Sequence, residues 1–205
     1  MERRRLPEPP FVAQFEPAED VERRINNRDN EDMNGPEWNW CGMCDVRMVA
    51  FTCRRPDEVP SLDDMYRAAF ERGVYRMVDG DVIGAYHKEL AEYGRRQFAF
   101  TRSRAARGLS ADAVADTVYA ERPEYVIASV SAQIRDLEGP PPEKKSGHLV
   151  LVYGVEVTDE GRFFILHNST GFVSTNTQRA VRVPEKRFLE CFSGNAIIIS
   201  DYKEE

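Results

Sequence analysis

His148-Leu149-Val150-Leu151-Val152-Tyr153-Gly154-Val155, Thr158-Asp159-Glu160-Gly161 and Phe163-Phe164-Ile165-Leu166-His167-Asn168 together decide the fold class. Two apolar, β-branched and aromatic runs flank a polar turn ending in glycine, so they read as the arms of an antiparallel hairpin. Working outward, further strand signals fall at 98–101, 125–131, 180–183 and 196–200. Upstream the period changes. Val46, Met48, Val49, Ala50 and Phe51 suit a short helix starting near Cys41 and ended by Arg54-Arg55-Pro56. The capping box Ser61-Leu62-Asp63-Asp64 opens a second helix that runs to Gly73. A third is predicted over 81–93, stopping at Gly94, and a fourth from the cap Ser110 to Glu121 before Pro123. Helices first and strands later make an α+β plan, a helical N-terminal part packed on a mostly antiparallel C-terminal sheet.

Residues 1–35, rich in Pro, Asn, Asp, Glu and Arg, read as an extended N-terminal arm, and 36–205 as one domain. The charged, proline-broken stretch 136–146 belongs on the surface, and Arg102, Ser103, Arg104 and Arg107 read as a solvated loop. No repeat is apparent.

The 205 residues carry 28 Lys and Arg against 35 Asp and Glu, a net charge of −7, which argues against a general nucleic-acid binder while leaving room for a local basic patch. The 41% hydrophobic content excludes a disordered or fibrous chain, and four cysteines are too few for a disulfide-stapled secreted module. The N-terminus has no apolar signal-peptide core, and the longest apolar runs, 149–155 and 196–199, fall far short of the roughly 18 residues needed to cross a bilayer. A cytoplasmic setting is therefore expected, with the cysteines as thiols.

Three chemistries compete for Trp38-Asn39-Trp40-Cys41-Gly42-Met43-Cys44-Asp45. Trp-Cys-Gly-x-Cys is similar to a thioredoxin-like redox motif, but that motif needs a buried strand before it, and Asn34-Gly35-Pro36-Glu37 is a turn sequence. Zinc needs a second ligand pair, and Cys53, Cys191, His87, His148 and His167 form none. The third reading makes Cys41 a nucleophile at a helix N-terminus, and it demands a downstream histidine with an orienting amide or carboxylate. His148 opens one hairpin arm and Asn168 follows the other, so the hairpin itself brings them together. Asp45, next to Cys44, opposes a thiolate there and favours Cys41 as the nucleophile. Cys53, Cys191, His87 and His167 read as structural.

These residues carry a resemblance. The segments around Cys41-Gly42-Met43-Cys44 with Met48, Pro123-Glu124-Tyr125-Val126-Ile127, Gly147-His148-Leu149-Val150 and Leu166-His167-Asn168 resemble papain-like cysteine peptidases of the bacteriocin-leader-processing (double-glycine leader) type, over roughly residues 35–200. The resemblance implies a papain-like fold with Cys41, His148 and Asn168 as its triad. Where that family places a Gln six residues before the nucleophile, this chain has Gly35, which leaves Asn34 and Asn39 as candidate oxyanion-hole amides. The expected function is a thiol-dependent hydrolase or acyl transferase acting on a peptide, amide or thioester bond. Its partner would be a peptide or acyl substrate, with no cofactor, metal, nucleic acid or membrane. The readings from other classes are a catalytically silent papain-like module that binds a peptide or protein partner, and a CxxC oxidoreductase.

Overall fold

The computed structural model describes residues 2–14, 39–170 and 179–201. Its described strands are β1 (Glu2–Arg5), β2 (Tyr75–Val78), β3 (Asp81–Gly84), β4 (Arg102–Ala106), β5 (Tyr125–Val130), β6 (His148–Thr158), β7 (Gly161–His167), β8 (Val181–Pro184) and β9 (Phe192–Ser200). The helices are α1 (Cys41–Cys53), α2 (Leu62–Glu71), α3 (His87–Phe98), α4 (Ala111–Tyr119) and α5 (Glu185–Cys191). Seven strands form one antiparallel sheet in the order β4-β9-β5-β6-β7-β8, with β1 also paired to β6, while β2 and β3 form a separate hairpin. The architecture is α+β, with helices packed on an antiparallel sheet.

β6 is the organising strand. Its first half pairs with β5, its second half with β1, and β7 runs along its other edge, closed at the turn where Thr158 faces Gly161. All six residues of β5 are buried, as are those of β6 from His148 to Glu156. Such unbroken burial requires cover on both faces. α1 and α4 both pack on β5 and β6, α3 packs on β4 and β9, and α5 lies on β7 and β8. On that last helix Phe188 stacks on Phe164 at 4.1 Å and on Phe192 at 5.0 Å.

Ser61 caps α2 by accepting from the Asp64 amide at 3.2 Å, and Ser110 caps α4 by accepting from Ala113 at 3.0 Å. The loop over 136–146 is held to the body by buried Arg187, whose guanidinium donates to the carbonyls of Gln133, Gly139 and Pro140. The N-terminal arm is extended over its described part but is not loose. Glu2–Arg5 completes the edge of β6, Leu6 and Val12 enter the core, and the Pro7 and Pro9 carbonyls accept from Tyr125 and His167. The rest of the arm lies outside the described residues.

Three expectations are corrected. The helix over 81–93 is instead a strand followed by a helix that starts at His87 and runs on to Phe98, past Gly94. Asp79 and Gly80 both take positive φ, 52° and 91°, which is the geometry of a two-residue hairpin turn, and this turn pulls 81–84 into β3. The strand expected over 98–101 lies further on, as β4. The residues read as a solvated loop, Arg102 to Arg104, are therefore in a strand recruited by the buried β9.

Candidate functional site

Cys41 is the first residue of α1, and the N-cap residue Trp40 offers no side chain to the first-turn amides. The positive end of the helix is therefore turned on the thiol itself. Gly42 allows α1 to come this close to the sheet: a Cβ there would lie 2.8 Å from Leu90 Cδ2 and 2.9 Å from Leu149 Cδ1. The close approach sets the Cys41 sulfur against the backbone of Leu149, the residue after His148, and backbone groups of Leu149, Gly42 and Cys41 itself all favour its thiolate.

Across the hairpin, His148 Nε2 and Asn168 Oδ1 are 2.7 Å apart, both buried. The register explains the meeting. Leu151 faces His167, and continuing that pairing past the end of β7 sets Asn168 across from Val150, on the side of the sheet His148 shares. The same Oδ1 accepts from the Thr170 amide at 3.2 Å and from Thr170 Oγ1 at 2.8 Å. A backbone amide can only donate, so the atom it faces is the side-chain oxygen, and His148 Nε2 must then carry the proton. In the neutral ring, Nδ1 then keeps the lone pair that a base requires.

Burial, with a smaller contribution from Arg135, outweighs the Asn168 hydrogen bond and lowers the His148 pKa to about 4. Burial first, and then the charge of Asp45, push the Cys41 thiol up to about 12. At neutral pH the site therefore holds a neutral thiol and a neutral imidazole, not a preformed ion pair. Asp45 is itself fully buried, among the described residues neither carboxyl oxygen has a hydrogen-bond partner, and burial holds its carboxyl well above the usual range. Asp45 adjoins Cys44 in sequence, and one turn along α1 the same carboxyl, when ionised, also opposes the Cys41 thiolate. Cys44 is wholly buried, whereas Cys41 keeps 9% exposure.

The structure joins His148 to Asn168 and brings the Cys41 sulfur to the backbone beside His148. Among the described residues no hydrogen bond links that sulfur to the imidazole. Asn39 precedes α1, and its carbonyl accepts from Tyr75 Oη at 2.9 Å; Asn34 and Trp38 lie outside the described residues. Trp40 packs on Tyr66, 5.8 Å between ring centres. The other singled-out groups lie elsewhere. Cys53 Sγ turns to the carbonyls of Val49 and Ala50, Cys191 is buried under the sheet, and His167 bridges the Ala180 amide and the Pro9 carbonyl. All four cysteines are free thiols, and among the described residues no three His, Cys, Asp or Glu side chains gather to hold a metal. No described helix is long and apolar enough to cross a membrane.

Sequence reasoning missed Thr170. Its signal was local: an Asn with a Thr two residues on is a side-chain-to-backbone turn pattern that fixes the amide. Compared with known proteins, the chain matches no family model and no curated sequence.

Proposed function

We propose that this chain is a thiol-dependent hydrolase or acyl transferase of papain-like architecture, acting on a peptide, amide or thioester bond through an acyl-enzyme on Cys41. The carrying observation is the His148–Asn168–Thr170 arrangement, which holds the imidazole as the Nε2–H tautomer at the end of β6 that also receives the Cys41 thiol. As sulfur attacks the carbonyl carbon, the thiol proton passes to His148 Nδ1, and the first-turn amides of α1 face the developing oxyanion. Collapse expels the amine or thiol, which takes the proton from the imidazolium. Water or an amine then attacks, giving its proton to His148, which returns it to the sulfur as the carbon–sulfur bond breaks. Because the resting pair is neutral, proton transfer accompanies attack rather than preceding it. A reducing compartment such as the cytoplasm suits such a site.

The 9% exposure and raised pKa of Cys41 favour a second reading, a catalytically silent module that binds a peptide or protein partner. Incubation with a peptide phenyl thioester, followed by intact-mass analysis and peptide mapping, separates the two. The enzyme reading expects one acyl group on Cys41 and none in Cys41→Ala. The silent module expects no adduct, or adducts spread equally over Cys41 and Cys53.

A further inference from the structure

Away from Cys41, an open crevice of about 740 Å³ runs between α3 and the edge strand β4. The chain as a whole is acidic, yet residues 95–107 carry five arginines and no acid. Lys88, Arg104 and Arg107 line the crevice, and its two carboxylates are engaged by cations of their own. Glu92 holds Arg95 at 2.7 Å and Arg96 at 2.5 Å, and Glu89 lies 3.8 Å from Arg76. Arg104 reaches Glu124 only at 3.8 Å, and among the described residues Lys88 and Arg107 have no ion-pair partner. The crevice therefore offers positive charge that the protein does not neutralise.

Its floor supplies a second kind of complementarity. Among the described residues β4 pairs with β9 alone, so along 103–106, the part that lines the crevice, its opposite edge has no strand partner and offers backbone N–H and C=O groups. Ser103 is tied to α3 through its hydroxyl, which donates to the Ala91 carbonyl at 2.7 Å and keeps that edge in place beside the helix. An extended peptide can continue a sheet by pairing with such an edge, while a nucleic acid cannot.

We infer that this crevice is a docking groove for an acidic peptide segment lying extended along β4, its backbone pairing with the strand and its carboxylates meeting Lys88, Arg104 and Arg107. The inference does not depend on the chemistry of Cys41. The test is fluorescence anisotropy of the full chain with a fluorescein-labelled octapeptide of alternating Glu and Thr. Saturable binding is expected, weakened roughly tenfold or more in the Lys88→Glu/Arg107→Glu variant and less in Lys88→Gln/Arg107→Gln, and falling with added salt. Both positions are exposed, so circular dichroism and melting should match the parent. The same peptide with alternate N-methylated amides should lose binding, and Cys41→Ala should retain it. The inference is overturned if the acidic peptide does not bind, if the glutamate variant binds it equally well, if N-methylation is without effect, or if a Lys–Thr peptide or an oligothymidylate binds as tightly.

Discussion

Asp45→Asn is the perturbation that reads the electrostatics of the site most cleanly. Relative to an ordinary value of 9.0 the Cys41 thiol stands at about 12, a shift worth about 4 kcal/mol against the thiolate. Burial contributes most, Asp45 comes next, and backbone N–H groups oppose both. An uncharged side chain of the same shape removes the second contribution and leaves the first, so the pKa should fall. Each unit of fall gives about ten times more thiolate at a given pH. A less basic thiolate is also a poorer nucleophile, with a Brønsted slope of about 0.4–0.5, so the net gain in alkylation rate is about three- to fourfold per unit. The assay is iodoacetamide labelling across pH, with Cys41 and Cys53 quantified by peptide mapping. The Cys41 profile should move to lower pH while that of Cys53 stays put. Stability gives an independent sign. A carboxyl whose folded-state pKa is raised stabilises fully below its unfolded pKa and loses that contribution as pH rises through the folded value. Asp45→Asn escapes this loss and should gain stability over the parent as pH rises. An unchanged Cys41 profile would refute the claim that the Asp45 charge reaches the sulfur.

Other consequences follow from the same contacts. Thr170→Val removes one of three donors to Asn168 Oδ1, and should cost about 1 kcal/mol, or roughly 2–4 °C in melting temperature, with slower acylation of Cys41. His148 has a depressed folded-state pKa, so its contribution is present above 6.5 and is lost as pH falls towards about 4. Urea unfolding at both ends of that window should differ by about 3 kcal/mol more in the parent than in His148→Asn. Gly42→Ala forces a methyl against Leu90 and Leu149 and should destabilise by about 1–3 kcal/mol while pushing α1 off β6, read as a lower melting temperature together with slower acylation.

Much of this was legible in the chain, for reasons that can be named. The Ser61 and Ser110 caps and the Thr158–Gly161 turn are local hydrogen-bond devices, so a few adjacent residues specify them. The hairpin also carried half of the site, because a strand start and the end of its neighbour must lie side by side. β2–β3 is equally local, turning on Asp79-Gly80, but Asp81-Val82-Ile83 also fits the apolar spacing of the helix that follows, which hides the hairpin. β4 was not local at all. Arg102-Ser103-Arg104-Ala105-Ala106 has little intrinsic strand character and is a strand because β9 offers a buried partner. Asp45 adjoins Cys44 in sequence, but helical spacing also sets its carboxyl one turn from Cys41, a reach that adjacency alone does not show. The depth at which Cys41 and His148 sit, which makes the pair neutral, belongs to the packing of α1 on β6 and is written in no short motif.

The central claim is that His148 Nδ1 takes the proton of Cys41. It is tested most directly by the single-turnover rate at which a peptide phenyl thioester acylates Cys41 in the parent and in His148→Ala, both followed by intact mass. General-base catalysis by a positioned imidazole is worth about 10²–10⁴ in rate, so the substitution should slow acylation by at least about a hundredfold at neutral pH with the fold intact. Equal rates in the two proteins would contradict the account.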